Sequence, residues 1–193
     1  MTDAVAAAIL AAGRGSRFGG ERPKSLEEWE GRPLVTWALQ APLDAELFPV
    51  LLVTGHQRHL LDPLAPPGVD VVHSSRWQQG IAHSLHAALD ALDGYATVQA
   101  VCMGLADQPR IGAEAYRRLV AAFAGGAALA VATYGGQRAN PVLLARSLWP
   151  EARELTGDVG ARALMQRHPV VEVACDDTGS PVDVDTPSDL ENL

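Results

Sequence analysis

The stretch from Ala4 to Lys24, AVAAAILAAGRGSRFGGERPK, narrows the possible folds more than any other. Val5 to Leu10 is apolar throughout rather than alternating, the pattern of a strand covered on both faces by helices. Behind it, Gly13, Gly15, Gly19 and Gly20 supply positions where the backbone can turn tightly and approach a ligand with no Cβ in the way. Arg14, Arg17, Arg22 and Lys24 add cations to the same short segment. Successive backbone N–H groups in such a loop form an anion-binding nest, which a following helix start reinforces. The segment therefore predicts a phosphate site at the end of a first buried strand.

Two familiar phosphate loops do not fit. A Walker A loop needs G-x-x-x-x-G-K followed by Ser or Thr, and Glu21, Arg22 and Pro23 spoil the spacing between Gly19-Gly20 and Lys24-Ser25. The dinucleotide fingerprint is one residue off, and the second strand ends Thr54-Gly55 where an acidic residue should hold the ribose.

Beyond the loop, strand-like and helical segments alternate with short connections, which predicts a parallel sheet wrapped by helices. Helices are expected at LVTWALQA ending before Pro42, at His56 to Leu64, Gln79 to Leu92, Ala113 to Ala124, Arg146 to Leu155, Val159 to His168 and from Ser188. Strands are expected at Pro49 to Val53, Val69 to Ser74, Val98 to Met103, Ala128 to Tyr134, Pro141 to Leu144 and Val170 to Ala174. With 193 residues and no repeat or long linker, residues 1–193 read as one α/β domain. The net charge of −8 argues against nucleic acid or an anionic membrane as partner and makes the basic loop stand out. MTDAV lacks the basic region of a signal peptide and no apolar run reaches membrane-spanning length, so a cytoplasmic protein is expected. Cys102 and Cys175 lie in apolar runs and read as small hydrophobes, and neither His56/His59 nor His83/His86 has the third ligand a zinc site needs.

Leu10-Ala11-Ala12-Gly13, Gly15, Arg17, Gly19 and Lys24 match the pattern L-A-A-G-x-G-x-R-x-G with a lysine a few residues on. In this the chain resembles the molybdopterin nucleotidyltransferases, cytidylyl- and guanylyltransferases that join a nucleoside monophosphate to the phosphate of the molybdenum cofactor's pterin. The resemblance runs nearly end to end. It implies a single Rossmann-like three-layer α/β/α domain with a mostly parallel sheet, of the nucleotide-diphospho-sugar transferase type. It also implies Mg2+ as cofactor, CTP or GTP as donor, a molybdopterin-type or other phosphorylated acceptor, and a molybdoenzyme as a partner. The Leu10-Ala11-Ala12-Gly13 opening looks more like the cytidylyl branch.

The same resemblance distributes the chemistry. Arg17 and Lys24 become triphosphate ligands, consistent with a bidentate guanidinium and a mobile ammonium. Asp107, in D-Q-P after an apolar strand, becomes the first Mg2+ ligand, a helix cap being its plain alternative. The second comes from Asp183 or Asp185 in V-D-V-D-T-P-S-D-L; alternation puts both on one face, while Asp189 reads as first-turn helix chemistry. Trp77 to Leu85 resembles a block beside the nucleotide, with Gly80 and Ser84 carried over and Thr54 at the second strand's end; Ser74 and Ile81 depart from type. Leu155 to Arg162 resembles an L-x-G-D-x-G-A-R block, assigning Gly157, Asp158 and Arg162 to the acceptor, with Asp158 as a helix cap the alternative. Asn140 stands where related chains carry His, which leaves the acceptor's identity open.

Overall fold

The computed structural model describes residues 4–14 and 22–193. Gly15, Arg17, Gly19 and Gly20 lie outside the described residues. The strands are β1 (Ala4–Ala11), β2 (Glu28–Trp29), β3 (Arg32–Pro33), β4 (Val50–Thr54), β5 (Val69–His73), β6 (Val98–Leu105), β7 (Leu129–Tyr134), β8 (Gln137–Ala145) and β9 (Val171–Ala174). The helices are α1 (Leu34–Asp44), α2 (Arg58–Leu61), α3 (Ile81–Leu92), α4 (Ala113–Ala124), α5 (Trp149–Ala152) and α6 (Pro187–Glu191).

A seven-stranded sheet runs β5-β4-β1-β6-β8-β7-β9, and β2 and β3 form a separate hairpin. The pairs β1–β4, β1–β6, β4–β5 and β7–β9 are parallel, and β8 runs antiparallel to both β6 and β7. The sheet is therefore mostly parallel, with β8 reversed. Alternate residues of β1 serve two cores, as the two-residue period of a strand requires. Val5, Ala7 and Ile9 pack with Val35 and Leu39 of α1 and Tyr116 and Leu119 of α4. Ala6 and Ala8 face Leu85 and Leu89 of α3 and Trp149 of α5. Burial on both faces is why this strand's sequence shows no polar alternation.

Several elements differ from their sequence expectation, and the helices expected over His56 to Leu64 and Arg146 to Leu155 hold only four α-helical residues each, beside 3-10 turns. Helix α1 continues through Pro42 to Asp44. Pro42 lies in the last turn and is buried with Leu39 and Ala41, so packing offsets the backbone bond its ring cannot make. Strand β8 begins at Gln137, because Tyr134 pairs with Gln137 across Gly135 and Gly136, whose φ values are 56° and 72°. Two consecutive positive φ angles are the hallmark of a type I′ hairpin turn, which glycine adopts freely. The helix expected over Val159 to His168 is a six-residue 3-10 turn, Ala161–Gln166. No helix among the described residues is long and apolar enough to cross a membrane.

Candidate active site

Parallel pairing brings the ends of β1 and β6 to one edge of the sheet, with Leu10 opposite Leu105. The Ala106 amide then donates to the Leu10 carbonyl at 3.1 Å, which starts the Ala106-Asp107-Gln108 loop directly beside the first turn. The C-terminal segment returns over this loop, held by the Val184 amide donating to the Asp107 carbonyl at 3.0 Å. Val184 is fully buried, so its neighbours Asp183 and Asp185 both project from the opposite side. Behind them Thr186 and Asp189 form a capping box at the start of α6, and the Asp189 carboxylate also accepts from the Asp185 amide at 3.0 Å.

Lys24 enters from a short 3-10 turn, Lys24–Leu26, anchored by the buried Ser25 and Leu26. Its Nζ donates to Asp107 Oδ2 at 2.6 Å and to Asp185 Oδ1 at 2.7 Å. Both are charge-assisted bonds in a half-enclosed setting. Burial pulls the ammonium's pKa down, but the Asp107 and Asp185 carboxylates more than reverse this and hold it above its ordinary value. Asp183 is pushed above the usual carboxylate range, first by burial and then by the charge of Asp107.

Two adjoining cavities share Leu10. The smaller, about 140 Å3, is lined by Leu10, Ala11, Gly13, Lys24, Ser25, Ala106 and Asp107. The larger, about 500 Å3, has apolar walls from Ile81, Leu85, Met103 and Val142 and polar groups from Gln108, Asn140, Asp158, Arg162 and Asp183. Arg162 is exposed there and forms no ion pair among the described residues. Asp158 does not cap the following turn, whose N-cap is Gly160 with no side-chain bond.

The remaining predicted positions fall around these cavities. Ala12 is buried, and its carbonyl accepts from the His56 amide at 3.0 Å. Thr54 is fully buried, donates its hydroxyl to Asp62 at 2.9 Å, and lines neither cavity. Ser84 is buried in α3 and likewise lines neither. Gly80 has φ 105°, and a β-carbon there would run into the Gly157 carbonyl, while the Ala82 amide donates to that carbonyl at 3.1 Å. The start of α3 is thus fastened to the Gly157-Asp158 segment. Gly15 and Arg17 lie outside the described residues, but the neighbouring Arg14 places its guanidinium 5.4 Å from the Trp77 ring centre.

Sequence reasoning passed over Gln108. Its Nε2 donates to the Pro181 carbonyl at 2.8 Å, and its Oε1 accepts from Asn140 Nδ2 at 2.8 Å. A backbone carbonyl can only accept, so this contact fixes both amide orientations. The D-Q-P motif that drew attention to Asp107 contained this signal.

Among the described residues, no group of three or more His, Cys, Asp and Glu side chains is arranged to hold a metal. Magnesium needs less than that: one or two carboxylates, with water and substrate phosphates completing the shell. Asp107 and Asp185 converge on the Lys24 Nζ, and Asp107 Oδ1 is buried with no hydrogen-bond partner among the described residues. This donor set fits a hard divalent ion. Both cysteines are free and buried, and burial pushes their thiols up, which leaves them unsuited to nucleophilic work.

Known proteins share this fold. The structure of Rv0371c from Mycobacterium tuberculosis H37Rv superposes with a TM-score of 0.86 at 28% identity, covering 100% of this chain and 98% of that one. A manganese complex of Rv0371c gives 0.83 at 26% identity, over 98% of this chain and 97% of that one. The Bifunctional protein GlmU of Anaeromyxobacter sp. (strain Fw109-5) is 36% identical over 133 residues, 67% of this chain but only 27% of that protein. The chain therefore spans about a quarter of the curated relatives it matches. The MobA-like NTP transferase domain matches residues 7–173, which cover every strand of the sheet in whole or part, and the chain belongs to that family of nucleotidyltransferases.

Proposed function

We propose that this chain transfers a nucleoside monophosphate, CMP in preference to GMP, to the phosphate of molybdopterin or a related phosphorylated acceptor and releases pyrophosphate. The observation that carries this reading is the Lys24 ammonium held between Asp107 and Asp185 where β1 and β6 end, beside two adjoining cavities. The first turn, Leu10 to Gly13 with Gly15 and Arg17, receives the triphosphate in the smaller cavity. Asp107 and Asp185 hold Mg2+, and Lys24 and Arg17 meet the phosphates. The acceptor occupies the larger cavity, where Asn140 and Arg162 face it; Gly157 and Asp158 shape that wall through their contact with Gly80. Asp183 stands at the junction.

In such a transfer a phosphate oxygen of the acceptor attacks the α-phosphorus in line, and the P–O bond to pyrophosphate breaks. The protein's task is to align two anions and offset their charge with groups already in place. A divalent cation held by Asp107 and Asp185 would offset negative charge on the phosphates. The manganese complex of the similar Rv0371c supports that part of the reading. The preference for cytidine rests on the Leu10-Ala11-Ala12-Gly13 opening.

The test is pyrophosphate release with each of the common nucleoside triphosphates, Mg2+ and molybdopterin. Release that requires all three components, and is greatest with CTP, is the expected result. Release with another phosphorylated compound alone would keep the transfer and reassign the acceptor. Triphosphate binding with no release under any condition would make the chain a non-catalytic nucleotide carrier.

A further inference from the structure

We propose that Gln108 is a positioning residue that decides which atom Asn140 shows to the acceptor, so that the larger cavity takes an N–H or O–H donor at that point and turns away a ligand offering only acceptor atoms. This rests on the reading of the larger cavity as the acceptor site. Asn140 is placed by a break in strand register: Ala139 pairs with Ala132 and Val142 with Val131, which leaves Asn140 and Pro141 of β8 unmatched in β7. An irregularity of this kind re-aims a side chain. Asn140 and Gln108 are only 8% and 4% exposed, and both line the larger cavity. The Pro181 carbonyl, which can only accept, takes a Gln108 Nε2 hydrogen at 2.8 Å and leaves Gln108 Oε1 to accept from Asn140 Nδ2 at 2.8 Å. Neither carboxamide can turn over without cost: a flipped Gln108 points Oε1 at the Pro181 carbonyl, and a flipped Asn140 points Oδ1 at Gln108 Oε1. Asn140 Oδ1, the atom left over, takes no hydrogen bond among the described residues and is the one turned to the cavity. The neighbouring walls, from Ile81, Leu85, Met103 and Val142, are apolar and offer no substitute partner, so a ligand acceptor atom set against Asn140 Oδ1 stays unsatisfied.

The test combines pyrophosphate release from CTP, Mg2+ and molybdopterin with thermal melting of the same variants. Asn140→Leu removes the acceptor atom, whereas the protonated carboxyl of Asn140→Asp copies the amide, its O–H donating to Gln108 Oε1 and its carbonyl facing the cavity. At about pH 5 the molybdopterin KM should therefore rise about tenfold more in Asn140→Leu than in Asn140→Asp, with the CTP KM unmoved in both. Gln108→Met lets the Asn140 amide turn and should raise the molybdopterin KM several-fold, in proportion to the competent orientation lost. That rise should largely vanish in the Gln108→Met, Asn140→Asp double variant, because a carboxyl group shows an oxygen whichever way it turns. Melting gives a readout that needs no ligand: a carboxyl that must stay protonated to face Gln108 Oε1 has a raised folded pKa, so Asn140→Asp should lose stability relative to the wild type as pH rises above about 4 toward about 8. Equal KM losses in Asn140→Leu and Asn140→Asp overturn the acceptor atom. A Gln108→Met effect undiminished in the double variant, or an Asn140→Asp melting curve that tracks the wild type across that pH range, overturns the positioning role of Gln108. If the wild type releases no pyrophosphate with molybdopterin, the acceptor reading falls and recognition through Asn140 falls with it, while melting of Asn140→Asp still decides whether the pair is fixed.

Discussion

Replacing Asp107 by Asn keeps the side chain's shape and removes one of three carboxylates, Asp107, Asp183 and Asp185, gathered around one ammonium. The loss is the ionic part of a bond at 2.6 Å worth about 1.5–3 kcal/mol, because the Asn carbonyl still accepts from the charged ammonium but no longer carries the opposite charge. Against this stands relief of repulsion, since Asp107 is the second cause, after burial, of the raised Asp183 pKa, and Asp185 adds to it. Removing a nearby like charge recovers about 1 kcal/mol at high effective dielectric. The two changes nearly cancel, so stability should move by no more than about 1 kcal/mol and the melting temperature by about 2–4 °C. Turnover should fall about 10²–10³-fold, as when a preorganised electrostatic group is lost. Pyrophosphate release and thermal melting on the same preparation separate these outcomes. Unchanged turnover would refute a role for Asp107 in the reaction, and a melting temperature lowered by more than about 10 °C would make it a structural residue.

Arg162→Ala should raise the acceptor's KM or lower kcat while leaving triphosphate affinity unchanged, because Arg162 lines only the larger cavity; equal loss for both substrates would contradict this. Gly80→Ala forces a side chain into φ 105° and against the Gly157 carbonyl. It should cost about 1–3 kcal/mol in urea unfolding and weaken the acceptor more than the triphosphate, since Asp158 and Arg162 follow that carbonyl. Thr186→Ala removes the α6 cap at about 1 kcal/mol and loosens the Asp189 contact that fixes the Asp185 backbone, so the Mg2+ concentration needed for half-maximal rate should rise.

The parts of this molecule that were legible from sequence are those set by short-range pattern. Val5 to Leu10 announces a doubly covered strand because both of its faces meet helices, and Ala113 to Ala124 carries a helical stripe that the structure reproduces to the residue. Pro42 misled because the proline rule is local while the burial that overrides it is tertiary. The strand expected at Pro141 to Leu144 starts short of the Gly135-Gly136 turn, and β8 pairs back from Gln137, longer than expected and antiparallel. Alternation could not choose between Asp183 and Asp185, since it places both on one side. Only the fold separates them, turning Asp185 onto Lys24, 161 positions away, and Asp183 into the larger cavity. Sequence could likewise place Lys24 near phosphate but not between two carboxylates, because that contact depends on the C-terminal segment returning over Asp107.

The most direct measurement is a crystal structure with α,β-methylene-CTP and Mn2+, with the metal located by its anomalous signal. The expected result is one manganese bonded to Asp107 and Asp185, and the triphosphate along Leu10 to Gly13 within reach of the Lys24 ammonium. Manganese and nucleotide bound elsewhere would contradict the assignment of this centre to nucleotidyl transfer.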